Sequence, residues 1–238
     1  MNIKKILGIM FIFLMTAISI TAVPTGPTNI DVISSERYPV TSASNLSAVA
    51  GNVTEVNFMS NAITQTWQGY FGNISGTILL GNSNNQTMYN WNSASPSGQI
   101  YATRNTLVPS WGVIRCANIT DVAAEEVALG VNPAIDSDSV NRTFTNVTNF
   151  NPFFVGSINI NTTQNCYAVN LHNSTSQPDE RFSEVLLHDN VELVYTALLT
   201  SDTFGFDNRT HDFEMIVGED GHSGDTASTL YYFYLELN

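Results

Sequence analysis

The residues best suited to chemistry lie near the C-terminus, where His211-Asp212, Glu219-Asp220 and then His222 and Asp225 gather imidazoles and carboxylates within one short stretch. A single loop could bring these side chains together as ligands of a transition metal, as a metal-dependent hydrolase requires. The spacing matches no metal-ligand motif, however, and neither G-x-S-x-G nor H-E-x-x-H occurs in the chain. A nucleophilic enzyme also needs a base beside its nucleophile and a third group to orient that base. The remaining histidines, His172 and His188, stand in or beside turn sequences rich in Asn, Ser and Asp, where a solvated loop residue is the ordinary account. The residues therefore point to a non-enzyme, with a hydrolase built on His211, Asp220, His222 and Asp225 as an alternative.

Two acidic loops offer hard oxygen ligands of the kind Ca2+ takes. Asp136-Ser137-Asp138-Ser139 sets two carboxylates at alternate positions with Asn141 beyond, and Asp202 and Asp207 bound a second loop. Neither has the central glycine and terminal glutamate of an EF-hand, and solvated aspartates in turns are commoner. No other cofactor is suggested. Aromatic side chains raise a third possibility, carbohydrate stacking, at Trp67-Gln68-Gly69-Tyr70-Phe71-Gly72. Strand alternation puts Trp67, Gly69 and Phe71 on one face, where rings ordinarily fill a core, and leaves Tyr70 on the other.

What must position these residues is a chain that reads as exported. Lys4 and Lys5 precede an apolar run over residues 6–20 that ends at Thr21-Ala22-Val23-Pro24, the order of a secretory signal cleaved after Ala22. Extended to Val23, the run over residues 6–23 just reaches the length of a membrane span, so an uncleaved anchor is the competing reading and the one case that brings in a membrane. Prepilin-type processing after Gly8 fits least, because Ile6-Leu7 separates that glycine from Lys5.

The mature chain from residue 23 has no lysine. Arg37, Arg104, Arg115, Arg142, Arg181 and Arg209 stand against 21 acidic residues, which moves the net charge from −13 to −15. Charge of that sign repels phosphate and anionic headgroups and argues against nucleic acid. Only 12% of residues are charged, so Asn, Ser and Thr must keep the surface wet. Sequons of the form N-x-S/T begin at Asn45, Asn52, Asn73, Asn85, Asn118, Asn141, Asn146, Asn161, Asn173 and Asn208. With 27 asparagines and 47 serines and threonines, chance gives about five, so these ten favour a glycosylated surface. Cys116 and Cys166, the only cysteines, read as one structural disulfide.

The elements read as an all-β antiparallel β-sandwich, jelly-roll-like, with one short helix over residues 121–129. Residues 23–47 read as an extended arm set off by Pro24 and Pro27, and residues 48–238 as a single domain of short apolar alternations separated by Gly, Asn, Ser and Asp. Residues 76–91 read as a hairpin around a polar loop, and residues 182–199 as another around His188-Asp189-Asn190. The last strand, residues 230–237, is apolar on both faces and is expected at the centre of a sheet. The helix takes Asp121 as its N-cap and Gly130 as its stop.

Thr66-Trp67-Gln68-Gly69-Tyr70-Phe71-Gly72-Asn73-Ile74-Ser75-Gly76, Ser97-Gly98-Gln99-Ile100-Tyr101-Ala102-Thr103-Arg104 and the stretch over residues 218–225 resemble a family of secreted archaeal surface proteins found in small-genome lineages. The resemblance covers most of the mature chain. It implies an archaeal envelope setting and supplies no catalytic residues. The expected function is that of a secreted, N-glycosylated surface protein, a coat or filament subunit that assembles with itself or with other envelope proteins. A carbohydrate-binding or adhesive module that takes glycans is the alternative.

Overall fold

The computed structural model describes residues 23–40, 42–92, 97–220 and 228–238. The expected signal over residues 1–22, and His222 and Asp225, lie outside the described residues. Among the described residues no helix is long and apolar enough to cross a membrane.

The chain folds as the expected all-β, sandwich-like structure of antiparallel sheets, none of them closed. Its centre is a sheet formed by Gly98–Thr103 (β4), Arg115–Cys116 (β5), Ala168–His172 (β8), Pro178–His188 (β9), Leu193–Leu198 (β10) and Tyr232–Leu237 (β14). The order is β14-β4-β10-β9-β5, with β8 also on β9. β4 and β10 are buried along their whole length, because another layer covers each face of the sheet.

On one face Ile100, Ala102, Leu186, Tyr195 and Ala197 pack beneath the helix Ile119–Ala128 (α1) and the two-stranded sheet of Trp67–Gly72 (β1) and Phe213–Gly218 (β13). The apolar contacts there come from Val122 and Leu129 of the helix end and from Met215 and Val217. On the other face Tyr101, Val185, Leu187 and Val194 pack under Trp111, Phe150 and the hairpin of Phe153–Val155 (β6) and Ile158–Ile160 (β7). Thr77–Gly81 (β2) with Thr87–Asn92 (β3), and Thr203–Phe204 (β11) with Thr210–His211 (β12), are further hairpins.

β5 and β8 lie end to end along one side of the eleven-residue β9. The Ala117 N–H donates to the Leu186 carbonyl, and the Leu186 N–H donates to the Tyr167 carbonyl. Two chain segments distant in sequence thus act as one strand, and the Cys116–Cys166 disulfide, Cα–Cα 4.8 Å, joins them at the junction. The pairing expected of the two cysteines is the one observed.

Both expected hairpins form, as β2–β3 and β9–β10. Three details differ. The helix begins earlier, because Asn118 and not Asp121 is its N-cap: the Asn118 side chain accepts the Thr120 and Asp121 N–H groups, and Asp121 accepts the Asn118 N–H in return. It ends as expected at Gly130, whose φ of 67° lets its own N–H reach Val127 and that of Val131 reach Glu126. A second helix of one turn, Val140–Thr143 (α2), follows.

The third difference is β14, which lies at the sheet edge rather than its centre. Two-sided apolarity here reflects cover on both faces, Phe233 and Leu235 on one and Tyr234 on the other, not neighbours on both sides. Among the described residues its outer edge is paired only at Leu235, which exchanges two backbone hydrogen bonds with Thr25. Pro27, the next residue whose backbone would face β14, cannot donate, so the pairing does not continue past it. The first strand starts at Trp67, and residues 42–64 form no strand.

Candidate functional site

The short β11–β12 hairpin brings His211 of the expected C-terminal cluster to Asp207 of the second acidic loop. His211 Nε2 lies 2.9 Å from Asp207 Oδ1, and Arg209 Nε donates to Asp207 Oδ2 at 2.6 Å. Burial raises the Asp207 carboxyl, but the Arg209 N–H, His211 and the guanidinium outweigh it and hold the group at about 2. The neighbouring acids close turns. Asp212 accepts the Ile74 N–H at 2.8 Å and the Asp202 N–H at 3.2 Å, and Glu214 accepts the Phe206 N–H at 2.9 Å. Asp207 therefore faces Arg209 and His211, and the nearby carboxylates of Asp212 and Glu214 already serve backbone. Among the described residues no three His, Cys, Asp or Glu side chains are placed to hold a metal ion.

Asp136 and Asp138 line a cleft of about 370 Å3 together with Glu219, residues 62–66 and Leu129 to Val131. Asp136 Oδ2 accepts the Asn132 N–H at 2.7 Å, and Thr64 Oγ1 donates to Asp138 Oδ2. The cleft has an acidic rim, and each of these two carboxylates ties down a loop that borders it. Asp220 sits at the C-terminal end of β13, one residue beyond Glu219, and Asp202 occupies an exposed turn at φ 45°.

The aromatic stretch divides by depth. Trp67 packs against Phe144 and Tyr195, with ring centroids 5.7 and 6.4 Å away, and its Nε1 donates to the Asp138 carbonyl at 2.6 Å. Tyr70 lies 37% exposed, edge-on to Phe233 at 5.3 Å. Phe71 meets Phe206, His211 and, at 6.0 Å, the Arg209 guanidinium. His172 is exposed at the end of β8. His188 is no solvated loop residue: it ends β9 with its side chain 14% exposed, 3.6 Å from Asp121 and 3.4 Å from Arg115.

Of the sequon asparagines, Asn45, Asn52, Asn73, Asn85, Asn118, Asn141, Asn146 and Asn208 are exposed, and Asn161 and Asn173 are half-buried. Three of them share a local geometry. Asn118, Asn161 and Asn173 each accept, at Oδ1, both the N–H and the hydroxyl of the threonine two residues on. The amide oxygen is occupied by the turn, and the amide nitrogen, where a glycan attaches, is left to other partners.

Two features escape a reading of the sequence. Glu125 and Glu126, charged residues of a short helix, are buried. Glu125 pairs with Arg104 and accepts the Tyr195 hydroxyl at 3.0 Å, and Glu126 accepts the Asn141 N–H at 2.8 Å. Their partners are distant in sequence, so no local pattern announces them. The second feature is exposed apolar surface: Ile30, Val32, Ile33, Phe58 and Met59 before the first strand, and Ile78, Leu80, Tyr89 and Trp91 on the β2–β3 hairpin. An absence of charge marks the hairpin, since residues 56–103 contain no Asp, Glu, Lys, Arg or His. Comparison of the chain with protein-family models, with curated proteins and with solved structures finds no match.

Proposed function

We propose that this chain is a secreted, N-glycosylated structural subunit of an archaeal cell surface, held in a coat or filament by contacts with copies of itself or with other envelope proteins. The observation that carries this reading is the segment before the first strand. Ile30, Val32 and Ile33 are 58%, 80% and 97% exposed, although burying each would be worth about 1.5–3 kcal/mol. Such a segment gains most by adding to a neighbour's sheet, where backbone bonds give affinity and alternate side chains find cover. Thr25 already pairs with the outer edge of β14, so the root of the segment is compatible with strand addition. Ten sequon asparagines, eight of them exposed, and a disulfide suit an oxidising, glycan-bearing exterior.

The test is native protein isolated from cell envelopes. Intact mass is expected to show cleavage after Ala22 and glycan mass above the polypeptide, and electron microscopy an ordered assembly. Deleting residues 28–40 is expected to abolish that assembly, and unchanged assembly would remove the strand-addition mechanism.

A further inference from the structure

We infer that the apolar face of the β2–β3 hairpin is a contact between two copies of this chain, packed hairpin against hairpin. Ile78 pairs with Trp91 and Leu80 with Tyr89, so all four side chains share one face of a two-stranded ribbon. The Tyr89 and Trp91 rings touch edge to face at 4.8 Å. These residues are 43%, 51%, 52% and 58% exposed for Ile78, Trp91, Leu80 and Tyr89 in turn. A lone two-stranded ribbon is marginal in water, so this one needs cover.

Charge selects the occupant. Two mature chains of net charge −15 repel wherever their acidic surfaces meet. Only a charge-free surface lets them approach without desolvating like charges, and residues 56–103 are the longest stretch without any. The tip of the ribbon argues against a lipid surface, because Asn82, Ser83, Asn84, Asn85 and Gln86 would have to enter first, and Asn85 is itself a sequon residue. An acidic or basic protein partner would find nothing to pair with on this face. A second copy brings the same apolar, uncharged ribbon, and the two faces form an isologous contact.

The area sets its strength. Half of two aromatic and two aliphatic side chains gives on the order of 400 Å2 per copy, against about 800 Å2 per partner in a standard stable interface. The pair alone is therefore a weak, concentration-dependent dimer, suited to reinforcement within an array.

This contact rests on the reading of the chain as an assembling subunit, and one set of measurements separates the two. Full-length protein purified after export is followed by sedimentation velocity from about 1 to about 100 µM, the range in which so small a contact dissociates. Salt is set at about 10 mM and at about 0.5 M, which shortens the screening length from ~30 Å to a few Å. The wild type is expected to associate more strongly with concentration and with salt, and acrylamide quenching of Trp91 fluorescence to fall as it does. Leu80→Asp, at an exposed position that tolerates it, is expected to weaken association at least tenfold. Ile33→Asp is expected to leave the hairpin dimer intact while impairing larger assemblies.

Association lost in Ile33→Asp but kept in Leu80→Asp would overturn the hairpin contact and leave the arm-based reading standing. The reverse pattern supports the hairpin contact without the arm. A wild type that remains monomeric at both salt concentrations, or that protects Trp91 only when neutral phosphatidylcholine vesicles are added, would overturn it.

Discussion

The Glu184 carboxyl, on β9 of the central sheet, accepts the Ile216 N–H of the overlying β13 at 2.8 Å and so ties two layers together from inside the core. Glu184 is fully buried, and among the described residues its other oxygen has no hydrogen-bond partner. Burial pushes its pKa well up, and the Ile216 N–H only partly offsets this.

A raised pKa in the fold stabilises the protein fully below the unfolded value near ~4.3 and progressively less as pH rises toward the folded value. Glu184→Gln keeps an acceptor for Ile216 without the charge. Its urea midpoint is expected to match the wild type near pH 4 and to exceed it increasingly toward pH 7. Glu184→Leu strands the Ile216 N–H and is expected to lose about 1–3 kcal/mol near pH 4, a deficit that shrinks as pH rises and the wild type loses its own contribution. Parallel midpoints for wild type and Glu184→Gln across that range would show that burial does not bias this carboxyl.

Asp207 carries the opposite sign. Its carboxyl is held at about 2 beside His211 and Arg209, so its contribution is present above the unfolded value near ~3.9 and lost as pH falls toward 2. Asp207→Asn is expected to flatten that acid limb and to leave the curve above pH 5 displaced but parallel. Stability measured between pH 2 and pH 5 decides it, and an unchanged acid limb would count against the ion-pair account.

Asn118 combines a helix cap with a sequon, and two substitutions separate these roles. Asn118→Asp keeps an acceptor at the N-cap, while Asn118→Ala removes it and is expected to destabilise by about 1 kcal/mol. Thr120→Ala removes the sequon and leaves the Asn118 cap in place. If a glycan is attached at Asn118, all three variants lose the same mass from native protein, yet only Asn118→Ala loses the cap. Unequal mass losses would place the modification elsewhere.

The disulfide closes a loop across a sequence separation of 50 residues, which by loop entropy is worth about 4 kcal/mol. Cys116→Ser with Cys166→Ser is expected to lower the thermal midpoint substantially, and reduction of the wild type to match it. A midpoint indifferent to reductant would mean that the denatured chain gains little freedom when the link is cut.

How much of this was legible beforehand depends on the range over which each feature is encoded. Both hairpins were readable because Asn82 to Gln86, and His188-Asp189-Asn190, interrupt strand alternation locally. Gly130 stops α1 for an equally local reason, its left-handed backbone. The cap was misplaced because exposed Ile119 breaks the amphipathic pattern and hides the first turn. The edge position of β14 was illegible because residues 232–237 record cover above and below, not the partner beside them. The burial of Glu125 and Glu184 depends on Arg104, Tyr195 and Ile216, each remote in sequence. Of the residues proposed to bind metal, Asp207 and His211 do meet, but as a hydrogen-bonded pair in a turn, and Asp136 and Asp138 share a cleft with Glu219.

The end-to-end arrangement of β5 and β8 has a mechanical consequence. A pull along the chain reaches Cys116 and passes directly to Cys166, so the 50-residue interval, with both helices and the β6–β7 hairpin, hangs outside the loaded path. About 170 Å of contour is thereby withheld from extension. Under tension, that interval can remain folded while the strands on either side bear the load.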